Sequence, residues 1–118
     1  MIKHIVMWKL KEPSEGECRG ANALQVKAWL DTCSDLVPGI RRFEVVVAQE
    51  DMEATCDVLL IAEFTSPEAL AAYNGHPDHL ALKARVAPLR ESRQCFDYVF
   101  DVNLPLQHAG AAALAVRP

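Results

Sequence analysis

The sequence predicts an α+β domain with the element order β-α-β-β-α-β, and three observations carry that expectation. Residues 2–10, "IKHIVMWKL", alternate in the period of a strand. "CDVLLIAEF" is a short, mostly apolar run of the kind a central strand buried on both faces presents. "TSPEALAAYNGHPDHLALK" holds two helix starts, each with a proline at the first helical position. Four strands and two helices in this order form the ferredoxin-like split βαβ arrangement, with an antiparallel sheet.

In the first strand, His4, Val6, Trp8 and Leu10 share one face and Lys3, Ile5, Met7 and Lys9 the other. "KEPSEGECRG" reads as a loop, and "ANALQVKAWLDTCSDL" as a helix whose stripe includes Val26, Trp29, Leu30 and Cys33, ended by Pro38 and Gly39. "IRRFEVVVAQ" is the second strand, "DMEAT" a charged connection, and "CDVLLIAEF" the third strand. Ser66 is the expected N-cap of the next helix and Gly75 its stop, after which Pro77 restarts a second piece. "SRQCFDYVFDV" closes the fold, with Arg93, Cys95, Asp97 and Val99 against Gln94, Phe96, Tyr98 and Phe100.

A chain of 118 residues, 51% of them hydrophobic, supports one core and one domain, expected over residues 1–103. Residues 104–118, "LPLQHAGAAALAVRP", fall outside the pattern and are expected to be a flexible extension or an arm packed on a partner chain. Helices cover one sheet face, so the apolar Ile5, Met7 and Phe96 on the other call for a homodimer with two sheets packed face to face. The net charge of -4 excludes a nucleic-acid groove, because "GIRRF" and "LKARVAPLRESR" interleave their cations with apolar residues. No apolar run approaches membrane-spanning length and the opening lacks a signal peptide's apolar core, so a cytoplasmic home is expected. Cys18, Cys33, Cys56 and Cys95 are scattered free thiols by this reading, and Cys95 faces the expected pocket.

The segment that carries chemistry is "YNGHPDHLALK", residues 73–83. If Pro77 opens a helix, His76 is its N-cap and His79 lies in its first turn, where the positive helix end disfavours imidazolium and leaves a neutral base near pH 7. Tyr73, one turn earlier, presents a phenol to the same space, and a phenol donor beside a neutral imidazole suits proton abstraction next to a carbonyl. The competing reading is architectural: His76 and His79 satisfy backbone groups at the helix start, and Tyr73 packs in the core. A metal site on His76 and His79 with His4 or Glu63 is disfavoured because Pro77 and the cap geometry aim the two imidazoles apart.

"KHIVMWKLK", "DVLLIAEFTSPEALAAYNGHPDHLAL" and "FDYVF" together resemble the stress-responsive A/B barrel (Dabb) family over residues 2–101. The resemblance implies a dimeric α+β barrel and, from the family's plant polyketide cyclase, a cofactor-free cyclase or lyase in which the matching catalytic residues are Tyr73 and His79. It implies a pocket lined by His4, Val6, Trp8, Leu30, Leu60, Ala62, His76 and Leu82 that takes a small apolar or aromatic ligand. Lys83, Asn74 and Lys27 replace a glycine, an aliphatic residue and a phenylalanine of the cyclase, so the plant substrate is not expected here. Some relatives imply a weak magnesium site at main-chain carbonyls, here of Ser34, Val37 and Ile40. The related antibiotic-biosynthesis monooxygenases have the same barrel and imply oxygen chemistry as another use of such a pocket. The alternative to an enzyme is a noncatalytic binding or stress-protective dimer.

Overall fold

A computed structural model describes residues 1–13 and 18–101. Its elements are β1 (Ile2–Leu10), α1 (Arg19–Asp31), β2 (Ile40–Val47), β3 (Val58–Phe64), α2 (Pro67–Gly75), α3 (Pro77–Val86) and β4 (Arg90–Val99). The strands form one antiparallel sheet in the order β2-β3-β1-β4. The expected order and the break in the second helix are both present. The extension expected over residues 104–118 lies outside the described residues.

Alternation decides which side of the sheet is covered. His4, Val6, Trp8 and Leu10 of β1 and Val58, Leu60, Ala62 and Phe64 of β3 are buried beneath the helices. Ile5, Met7, Leu59 and Ile61 on the opposite face are half-buried, while Phe96 and Tyr98 are exposed. The cross-strand pairs Ile5 with Ile61 and Ile5 with Phe96 put these side chains in one row. A row of large apolar groups facing water is the signature of a surface that takes a partner.

The sequence-derived boundaries shift at several ends. Helix α1 begins at Arg19, ahead of the expected Ala21, and buries Ala23, Val26 and Leu30, with Cys33 just beyond it. Leu24 and Ala28 face outward and Trp29 is only half-buried, so the stripe runs at 23-26-30-33. Ser66 caps α2 by accepting a hydrogen bond from the Ala69 amide at 3.1 Å. The break between α2 and α3 has a different cause from the one expected. Gly75 keeps a negative φ, and the chain turns at His76 (φ -64, ψ 136), the extended conformation that Pro77 imposes on the residue before it. Gly39 is the glycine with φ in the left-handed region (+96); a Cβ there would lie 2.6 Å from Thr65 Oγ1 and 2.9 Å from Ala69 Cβ.

Candidate functional site

The break at His76 folds α3 back so that His79 meets Tyr73. Their ring centroids are 4.5 Å apart, and Phe64, Phe43 and His4 pack around the same tyrosine at 5.2, 6.2 and 6.3 Å. Of these rings, His4, Tyr73 and His79 line a cavity of about 50 Å³ that opens past exposed side chains. Val6, Trp8, Leu30, Leu60, Leu82 and Val86 form its apolar wall. His4, Tyr73 and His79 supply the inner polar groups, and Lys83, Arg90 and Arg93 bring three cations to the same space.

Tyr73 is fully buried, and its hydroxyl has no hydrogen-bond partner among the described residues. A buried hydroxyl left unpaired costs about 1–3 kcal/mol, so such an arrangement is unusual in a packed core. Burial pushes the phenol well above its ordinary value, with Cys33 adding to the shift and Arg93 opposing it. Tyr73 is therefore a proton-bearing donor throughout the physiological range.

His79 is the complementary group. Its Nδ1 lies 3.2 Å from the Asn74 carbonyl, and a carbonyl can only accept, so Nδ1 carries the proton and Nε2 keeps its lone pair. Burial lowers its pKa from 6.5, the Asn74 carbonyl pulls the other way, and Lys83, His4 and Arg93 lower it further. The sequence attributed a neutral imidazole to the helix end; desolvation is the larger cause here.

His4 is held from the side strand. Asp97 pairs with His4 across β1 and β4, and its carboxylate accepts from His4 Nδ1 at 2.5 Å. Cys95 approaches the same two groups, 3.6 Å from Asp97 Oδ1 and 4.0 Å from His4 Nδ1. A nucleophilic relay needs thiol and carboxylate on opposite imidazole nitrogens, and here both meet Nδ1. Burial and Asp97 also raise the Cys95 thiol, which favours the unreactive form.

Of the residues expected around a pocket, the cavity wall includes His4, Val6, Trp8, Leu30, Leu60, Tyr73, His79 and Leu82. Three lie elsewhere. Ala62 is buried beneath the helices, and Cys95 sits outside the cavity on β4. His76 caps α3, its Nδ1 accepting from the Asp78 amide at 3.1 Å. The sequence missed Asp97, Val86, Arg90 and Arg93. Alternation had placed Arg93 and Asp97 on one face of β4, but only the β1–β4 register shows that they stand opposite Trp8 and His4.

Residues 2–100 match the Stress responsive A/B Barrel Domain (Dabb) family. The chain belongs to the Dabb family. Among solved structures it resembles a dimeric protein of unknown function with a ferredoxin-like fold from Bacteroides fragilis. The two are 30% identical, with 84% of this chain and 95% of that one covered and a TM-score of 0.70. A Dabb family protein with a ferredoxin-like fold from Mesorhizobium loti is 27% identical, covering 85% and 96%, with a TM-score of 0.61. The hydroxynitrile lyase of Passiflora edulis shares the fold at 17% identity, 88% and 96% coverage and a TM-score of 0.66. No curated protein matches the chain by sequence. Among the described residues, no helix of this Dabb chain is long and apolar enough to cross a membrane.

Proposed function

We propose that this Dabb chain works as a homodimer paired through its outer sheet face, with residues 1–103 as the folded unit. Its pocket binds a small carbonyl compound and moves a proton at the carbon beside the carbonyl without an organic cofactor. The observation that carries the reading is the buried Tyr73 hydroxyl, a donor with no partner among the described residues, in a side chain packed against an imidazole whose Nδ1 faces the Asn74 carbonyl, which leaves the lone pair to Nε2. A ligand carbonyl supplies the missing acceptor.

In this mechanism Tyr73 donates to the ligand's carbonyl oxygen. His79 Nε2 takes the proton from the adjacent carbon, and the electron pair of that C–H bond moves toward the oxygen to form the enolate. The hydrogen bond from Tyr73 strengthens as charge collects there, which is the differential stabilisation that accelerates the step. His4, oriented by Asp97, lines the pocket beside them and holds the polar wall in place. Apolar residues around the site exclude water and favour a neutral His79. The dimer reading draws on the apolar outer face of this chain and on the relatives described as dimeric.

Carbonyl ligands found by thermal shift in a panel of β-keto and aromatic compounds are then incubated in D2O, and exchange at the adjacent carbon is followed by proton NMR. Exchange that falls at least about 100-fold in His79→Gln and in Tyr73→Phe supports the proposal. Ligands that bind the wild type but exchange no faster than in buffer would replace it with a noncatalytic binding dimer.

A further inference from the structure

We infer that the ligand of this pocket is an anion: a carbonyl compound whose other end carries a carboxylate or phosphate, held by Lys83, Arg90 and Arg93. The inference rests on the carbonyl reading above and adds the substrate class to it.

Two observations meet at this cavity. The first is charge. Lys83 comes from α3, and Arg90 and Arg93 from β4; all three line the cavity. Among the described residues none of them forms an ion pair, although the other salt bridges engage Lys3, Lys9, Arg19, Lys27 and Arg42. Three cations with no ion pair among the described residues, gathered around one apolar hollow in a chain of net charge -4, make a local positive field that favours an anion. The second observation is that Tyr73, a residue of the cavity lining, keeps its hydroxyl buried with no hydrogen-bond partner among the described residues.

The dimensions fit a ligand with two ends. About 50 Å³ is enough for a carbonyl and its neighbouring carbon and too little for a whole metabolite, so the remainder must reach the opening. Lys83 and Arg93 are exposed and Arg90 is half-buried, so a terminal anion there stays near water while the carbonyl is dry. Arginine's planar fork matches the paired oxygens of a carboxylate or phosphate.

Two of these cations, Lys83 and Arg93, act on the proposed base. His79 faces Tyr73 from α2, Lys83 from its own helix, His4 from β1 and Arg93 from β4, and Lys83, His4 and Arg93 all push its pKa down. An anion seated among Lys83, Arg90 and Arg93 offsets that field, so His79 becomes more basic when the ligand is bound. A neutral ligand does not produce this change.

The test uses the full chain with levulinate, a small acid with its ketone and carboxylate at opposite ends, and with its neutral counterpart 4-oxopentanamide. Binding is measured by NMR titration at low salt, and the His79 ring proton is followed across pH in each complex. The expected result is at least about tenfold tighter binding of levulinate, an upward shift of the His79 pKa with levulinate alone, and loss of most of the preference in Lys83→Gln and Arg93→Gln. Unchanged melting shows that those variants are folded. Displacement of levulinate by inorganic phosphate extends the site to phosphate-bearing carbonyl compounds, and failure to displace confines it to carboxylates; both outcomes support an anion site. Equal binding of acid and amide, both weakened by Tyr73→Phe, overturns the anion inference and leaves the carbonyl pocket standing. If neither probe binds the wild type, the pocket reading falls with it.

Discussion

Replacing Tyr73 by Phe removes one oxygen from the centre of the core, and the expected effect runs against the usual cost of a core substitution. The ring of Tyr73 packs against Phe64, His79, Phe43 and His4, and Phe keeps all of that surface. What is lost is a hydroxyl that is buried without a partner among the described residues, at a cost of about 1–3 kcal/mol while the pocket is empty. The ligand-free variant is therefore expected to gain about 1 kcal/mol. For a domain near 100 residues this raises the melting temperature by about 4–8 °C. Thermal denaturation at matched protomer concentration, followed by circular dichroism, reads the change directly; matching is needed because association shifts apparent stability. The same variant should bind a carbonyl ligand about tenfold more weakly, since one hydrogen bond contributes about 1.4 kcal/mol in a dry site. A drop of several degrees in the ligand-free protein would refute the reasoning, because it would mean that the hydroxyl already holds a structural partner.

Other consequences are equally specific. His79 is kept neutral by burial, so its folded pKa lies below the unfolded value near 6.5. Between those values the unfolded chain binds the proton that the folded chain refuses; stability from this group is complete above about pH 6.5 and is lost as pH falls through the folded pKa. His79→Gln should flatten that part of the stability profile, and the acid limb of any exchange activity should fall below pH 6.5 in the wild type. Gly39→Ala combines a left-handed φ with a Cβ pressed on Thr65 and Ala69, and should cost about 2–4 kcal/mol in urea unfolding. Phe96→Asp places a charge in the outer apolar face and should convert the proposed dimer to monomer in sedimentation velocity, while the pocket residues on the other face stay in place.

The sequence disclosed the layers well and the site less well, for reasons visible in particular residues. Strand alternation at residues 2–10 and the apolar run at residues 58–64 are local signals; the first placed His4, Val6 and Trp8 on one face, and the second marked a central strand, while Leu60 came from the family resemblance. Ser66 and the two prolines did the same for the helix starts. The stripe of α1 was harder because Leu24 and Ala28 also recur at helical spacing, yet they face outward; only packing separates them from Ala23 and Val26. The hydrogen bond from His4 to Asp97 spans 93 residues and depends on the register between the first and last strands. No local pattern encodes that register, so Asp97, Arg90 and Arg93 went unnoticed as neighbours of the pocket.

Strand β4 lies at the edge of the sheet, with Arg93, Cys95 and Asp97 on one side and Gln94, Phe96 and Tyr98 on the other. On the proposed reading, recognition chemistry and oligomer surface alternate along the regular part of this strand, residues 92–99. Point substitutions can change either one alone. An inserted or deleted residue that slipped the pairing by one would exchange the two, sending aromatic rings toward the histidines and cations into the apolar row. Within the regular part of this strand, replacement keeps both faces and a change of length does not; the one register shift in the ladder lies at its start, between Lys9 and Leu10. A descendant with a new ligand is expected to keep the same spacing between its first and last strands even after every side chain that touches the ligand has changed.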